Sequence, residues 1–181
     1  MQHNIQLATS RFNNDTWGEN NDYRRRINPK GCIYGVPLQI SPKIPKRNLV
    51  FVVEMNNSKN EIEGIGLVRN QVQFDKYYRI YQTGNYNRYI YKSNYHITRE
   101  TIETFNEDLL DRLEFILFRG KTHMKRGSGF TLISDKLLKG PICESHDLSK
   151  EIRKMFEGVF KKKVEEVEYC EEQPPQELLD K

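Results

Sequence analysis

The sequence predicts an α+β protein: a mainly antiparallel curved sheet or small barrel, one helix packed on it, and a C-terminal amphipathic helix. Three observations carry that expectation. Between residues 49 and 99, short β-branched and aromatic runs are separated by Asn-, Gly- and Ser-rich breaks, the pattern of an antiparallel meander. Ile102, Phe105, Leu109, Leu113 and Ile116 recur at three- and four-residue steps, the period of a helix lying on a core. Leu148, Ile152, Met155 and Val159 repeat that period further on.

Taken in order, residues 1–30 are rich in Asn, Asp, Gln and Arg and show neither a helical nor an alternating period. They read as an extended or partly disordered basic arm with a cluster at Arg24-Arg25-Arg26 and Lys30. Pro37, Pro42 and Pro45 exclude a helix from the next stretch, leaving Cys32–Tyr34 and Val36–Ile40 as short edge strands. Leu49–Met55 is apolar on both sides and belongs in the middle of the sheet. The turn formers Asn56–Asn60 make Ile62–Arg69 its hairpin partner. Gly64 and Gly66 fall on one side of that partner, which implies a bulge or bend, or else close approach by another group.

Residues 74–99 hold seven of the ten tyrosines. Alternation places Tyr77, Arg79 and Tyr81 on one face of a strand. A turn at Thr83-Gly84-Asn85 leads to a strand with Tyr86, Arg88, Ile90 and Lys92 on one face and Tyr89 and Tyr91 on the other. Thr98 is placed to cap the following helix, and Gly120 to stop it. Arg119–Phe130 then packs four cations and three glycines into twelve residues before a closing strand at Phe130–Ile133. The domain expectation is therefore an arm at 1–30, a sheet domain at 31–139, a connector and helix at 140–164, and an acidic tail at 165–181.

The charge is uneven. Residues 1–47 carry a net +5, residues 48–139 a net +3 and residues 140–181 a net −4, a basic front that points to an anionic partner. No apolar run reaches the roughly 18–20 residues that cross a bilayer, and the N-terminus lacks the basic start and apolar middle of a secretory signal. Together with three widely spaced cysteines, Cys32, Cys143 and Cys170, this leads us to expect an intracellular protein without a membrane partner.

No catalytic constellation emerges. Gly127-Ser128-Gly129 is not a GxSxG elbow, the cationic loop is not a Walker A motif, and neither CxxC nor a ligand-like histidine spacing is present. Gly31-Cys32-Ile33-Tyr34-Gly35 resembles the first half of the GIY-YIG nuclease motif, but the second half is missing. We expect no catalytic residue, no metal and no cofactor.

What remains is the pairing of aromatics with cations. Tyrosine suits any half-buried strand, its ring packed and its hydroxyl wet. Aromatics alternating with Arg and Lys also hold single-stranded nucleic acid, by stacking bases and neutralising phosphates. On the second reading the interface is Tyr86, Arg88, Tyr89 and Lys92 on the sheet with Arg119, Lys121, Lys125 and Arg126 on the loop.

The order of edge strands, Val50–Met55, Glu61–Arg69, tyrosine strands, helix, basic Gly loop and closing strand resembles the PUA-like superfamily, which includes the EVE, YTH and ASCH domains. The phrase Glu63-Gly64-Ile65-Gly66-Leu67-Val68 is similar to a Gly-apolar strand of those domains. That resemblance implies a small barrel or curved sheet that binds RNA or a modified base. The one tryptophan, Trp17, lies in the arm and so outside the position of the family's base cage. The heavy use of Asn, Lys, Ile and Tyr is similar to proteins of large cytoplasmic DNA viruses, which implies a host-cytoplasm or virion setting. The expectation is a non-enzymatic protein that binds RNA or DNA. The alternative is a structural protein docking a protein partner through its sheet edge or arm.

Overall fold

The computed structural model describes residues 4–160. The expected acidic tail at 165–181, Lys161-Lys162-Lys163 and Cys170 lie outside the described residues. The elements are β1 (Gln6–Phe12), α1 (Asn14–Ile27), β2 (Cys32–Val36), β3 (Leu49–Asn56), β4 (Glu61–Arg69), β5 (Tyr89–Ser93), β6 (His96–Thr98), α2 (Arg99–Phe118), β7 (Thr131–Leu132), α3 (Asp135–Leu138) and α4 (Leu148–Phe160). Five strands form one open sheet in the order β6-β4-β3-β1-β7, and β2 pairs with β5 in a separate antiparallel ribbon. The class is α+β as expected. The sheet is mixed, because β1 runs parallel to β3 while the other pairings are antiparallel, and it does not close, because its end strands β6 and β7 do not pair with each other.

β3 sits at the centre, buried at every position. Its alternation divides the core into two. Phe51, Val53 and Met55 join α2 and α4 through Leu109, Leu113, Ile152 and Phe156. Val50 and Val52 join β2, β5 and the tyrosine segment through Tyr34, Tyr78, Tyr81 and Tyr91. The sheet is thus covered on both faces, by helices on one side and by α1 with the β2–β5 ribbon on the other.

The first thirty residues correct the expectation of an arm. β1 is an inner strand between β3 and β7, and it buries Thr9 and Ser10 along with Leu7, Ala8 and Phe12. Its polar sequence hides the strand because the neighbouring strands satisfy its backbone and its hydroxyls are small enough to bury. α1 opens on a capping box: Asn13 Oδ1 accepts from Thr16 N at 2.8 Å, and Thr16 Oγ1 accepts from Asn13 N at 3.0 Å. It packs by Asn20, Tyr23 and Arg24, a stripe whose members are polar or half-polar, so apolar periodicity does not report it. With β1 and α4 built into the core, residues 30/31 and 139/140 do not separate structural units.

β4 carries a register shift opposite Glu54 and Met55. The skipped residue is Glu63, and beyond the end of the β6 pairing the backbone of Ile62 is met by side chains of α2: Glu114 Oε1 accepts from Ile62 N at 2.9 Å, and Arg99 Nη1 donates to Ile62 O at 2.8 Å. α2 starts at Thr98, whose Oγ1 accepts from Thr101 N, and is broken at Asn106, whose Oδ1 recaps the second half through Leu109 N. Gly120, at φ +74°, ends it. α4 is capped by Asp147 Oδ1, which accepts from Lys150 N at 3.1 Å.

The tyrosine segment departs from two strands. Residues 70–83 are irregular, so Tyr77 is exposed while Tyr78 and Tyr81 are buried, against the expected pairing of Tyr77 with Tyr81. Asn87 supplies the missing ladder: its Oδ1 accepts from Ile80 N and Tyr81 N, and its Nδ2 donates to Tyr81 O. Tyr86 lies on a 3-10 turn, Gly84–Asn87, and not on a strand face with Arg88. Among the described residues, no helix is long and apolar enough to cross a membrane.

Candidate nucleic-acid interface

The basic glycine loop is held from inside by Arg11 at the end of β1. Arg11 Nε donates to Gly127 O at 3.1 Å, Nη1 to Met124 O at 3.4 Å, and Nη2 to Gly129 O at 3.0 Å and Thr131 Oγ1 at 2.8 Å. Burial pulls the Arg11 pKa down from its usual value. From the β3–β4 turn, Asn57 Nδ2 donates to Lys125 O at 2.9 Å. The loop's carbonyls are therefore turned inward onto two side chains. The backbone N–H groups of residues 126–129 make no hydrogen bond with the described residues. Gly127 and Gly129 hold φ of +106° and +69°, the left-handed region where glycine is at ease. A Cβ on Gly127 would stand 3.3 Å from Arg11 Nη2.

Across from this loop stand Tyr81 and Tyr86, edge to face with ring centroids 6.1 Å apart. The two sides enclose a cleft of about 300 Å³ lined by Arg11, Asn13, Tyr81, Tyr86, Lys125 and Ser128, among others. Tyr81 is a fixed wall. Its hydroxyl accepts from Asn20 Nδ2 at 3.0 Å, and burial pushes its phenol pKa far up. Tyr86 is 38% exposed and free to meet a ligand.

Of the eight residues expected from sequence, the structure brings Tyr86 and Lys125 into this one cleft. Arg126 and Lys121 are exposed on the same loop. Arg88 is exposed at the start of β5 and stacks over Tyr89 at 5.3 Å. Lys92 is occupied: it donates to Tyr78 Oη at 2.7 Å, lies over the Tyr78 ring and sits 3.9 Å from Asp75. The Tyr78 hydrogen bond raises its pKa. Arg119 stacks over Phe115 at the end of α2 and lines a different groove. Sequence reasoning missed Arg11 and Asn57. Neither carries a local signal, since each acts through a chain segment more than sixty residues away.

Beneath the ribbon lies a closed polar hub centred on Glu54, which is fully buried. Tyr34 Oη donates to Glu54 Oε1 at 2.7 Å, His96 Nε2 lies 3.0 Å from both carboxylate oxygens, and Arg24 Nη1 stands 3.6 Å away. Burial pushes the Glu54 carboxyl up, but the charge and hydrogen bond of His96, the Arg24 charge and the Tyr34 hydroxyl together hold it below its usual value. Burial pushes the neighbouring Cys32 thiol up to about 11. Gly64 and Gly66 border this hub. A Cβ on Gly64 would fall 2.8 Å from Glu54 Oε2 and His96 Nε2, and one on Gly66 would fall 2.2 Å from Tyr34 Oη. The two glycines thus serve a close approach beside the register shift. The hub ties α1, β2 and β6 to β3, and so positions the ribbon whose Gly35 and Val36 line the cleft beside Tyr81 and Tyr86.

Comparison of the chain with family models, curated proteins and solved structures returned no match.

Proposed function

We propose that the protein is a non-enzymatic nucleic-acid-binding protein that holds RNA or another single-stranded chain at the cleft between the glycine loop and Tyr86. The observation that carries this reading is that Lys125, Gly127, Ser128 and Gly129 line one cavity with the half-exposed Tyr86 ring, and that the loop's backbone N–H groups at 126–129 have no hydrogen-bond partner among the described residues. Oriented N–H groups beside a cation suit a phosphate. An exposed tyrosine ring at the same mouth suits a stacked base. The net charge of +4 favours the polyanion.

Salt titration of binding to labelled single-stranded RNA and DNA tests the proposal. Affinity is expected to fall linearly in log–log form, with a slope of roughly 0.7–0.9 per phosphate contacted. Lys125→Ala/Arg126→Ala is expected to flatten that slope by about one to two contacts. Tyr86→Ala is expected to cost about 1–3 kcal/mol with little change in slope. Binding that is absent, or indifferent to salt and to the loop variant, overturns the reading.

A second reading, a structural or protein-interaction role, is favoured by one feature. Phe74 and Tyr77 are 81% and 71% exposed, three residues apart in the irregular segment. This role predicts self-association or partner association that Phe74→Ser/Tyr77→Ser removes, together with indifference to nucleic acid.

A further inference from the structure

Beside the β7 edge, a groove of about 670 Å³ runs between the end of α2, β7 and α3. Phe115, Ile116, Met124, Leu137 and Ile142 give it an apolar lining, and Phe115 is 44% exposed there. Its charged lining residues are Arg119 and Lys136, and no carboxylate lines it. An apolar trough whose only charged lining residues are two cations suits an occupant that is both apolar and acidic, even with Asp111 and Glu114 in the adjoining hollow past Arg119.

Residues 164–180, outside the described part of the chain, have that chemistry. They hold seven Asp/Glu and no Lys/Arg, with Val164, Val167, Tyr169, Leu178 and Leu179 interleaved. The described residues 4–160 carry twenty-five Lys/Arg against eighteen Asp/Glu, a net +7. Length permits the match. α4 ends at Phe160, whose ring packs 5.2 Å from Tyr95 at the β6 edge of the sheet. The β7 edge is four strand spacings away, about 19 Å, and ten extended residues reach up to roughly 33–36 Å. A nucleic-acid strand offers charge but no aliphatic groups to fill the lining.

We infer that residues 164–180 dock in the Arg119–Lys136 groove of their own chain, as an intramolecular acidic cover. The inference stands apart from the nucleic-acid reading, since the groove is not the Tyr86–Lys125 cleft. Occupancy would neutralise Arg119, one of the cations expected from sequence to form the anion-binding surface.

The full-length chain supplies its own probe, because Cys170 lies in the segment while Cys32 and Cys143 are buried. Thr122→Cys and, separately, Ser134→Cys place a thiol on the groove wall, and Thr83→Cys places one on the opposite layer. Under mild oxidation, the 122–170 or 134–170 disulfide should form in the monomer about tenfold faster than 83–170, at a rate independent of protein concentration. High salt, or Arg119→Glu/Lys136→Glu, should erase that preference. Equal rates at all three positions overturn the proposal. So does a cross-link found only between chains, which would assign the groove to a second copy.

Discussion

The two faces of β3 solve the same burial problem with opposite chemistry. On the α2/α4 face, Phe51, Val53 and Met55 meet aliphatic and aromatic side chains, and Phe51 and Phe156 pack with centroids 5.1 Å apart. On the α1/ribbon face, Val50 and Val52 are followed by Glu54, a buried carboxylate held by Tyr34, His96 and Arg24. The first face depends on volume and is tolerant of detail. The second depends on completeness, because each partner removed leaves an unsatisfied buried group.

The largest effects should expose that difference. Glu54→Ala leaves the buried Arg24 without its counter-charge and His96 without its carboxylate partner, and is expected to cost about 3–5 kcal/mol at neutral pH. Phe156→Ala opens a cavity under β3 and is expected to cost a similar amount, about 3–5 kcal/mol. Acid separates them. The folded pKa of Glu54 lies below its unfolded value, so its contribution is present above the unfolded value and disappears as pH falls through the folded one. Urea denaturation at pH 7 and again below pH 4 should show the Glu54→Ala penalty shrinking while the Phe156→Ala penalty persists. Equal persistence of both would mean that Glu54 contributes packing and not charge.

Gly66→Ala probes the same hub at one methyl group. The added Cβ falls 2.2 Å from Tyr34 Oη and 2.8 Å from Cys32 Sγ. Tyr34 cannot give way without leaving Glu54, so a loss of about 1–3 kcal/mol is expected, with the Tyr34–Glu54 bond strained as well. The matching change on the other face, Ile65→Val, removes a methylene from the helix-side core and is expected to cost about 0.5–1.5 kcal/mol. Thermal unfolding of the pair ranks the two faces directly, and a Gly66→Ala protein as stable as wild type would refute the close approach.

This contrast also explains what was legible in the sequence. Leu49–Met55, the β4 hairpin, α2 with its Thr98 cap and Gly120 stop, and α4 are all declared by apolar period and turn chemistry, and each forms where expected. β1 and α1 are not. Thr9, Ser10, Asn20 and Arg24 are buried through partners far along the chain, and a local window weighs them as solvent-facing. The same holds for the candidate site. The cations of residues 119–126 and Tyr86 stand out by composition. Arg11, which holds the loop, is a single cation in a polar stretch and becomes meaningful only once β1 lies beside β7.

The smallest effect concerns Lys92, which composition groups with Lys125 and geometry does not. Its ammonium already lies over the Tyr78 ring, donates to the Tyr78 hydroxyl and faces Asp75 at the protein surface. A strand bound at the Tyr86 cleft would have to draw Lys92 away from these partners to gain a phosphate contact. Lys92→Ala is therefore expected to change stability by about 0–1 kcal/mol. It should leave the salt slope of RNA binding unchanged, while Lys125→Ala lowers that slope by roughly one contact. If the two variants lower it equally, the anion-binding surface extends from the cleft along β5, and Arg88 beside Tyr89 becomes part of it.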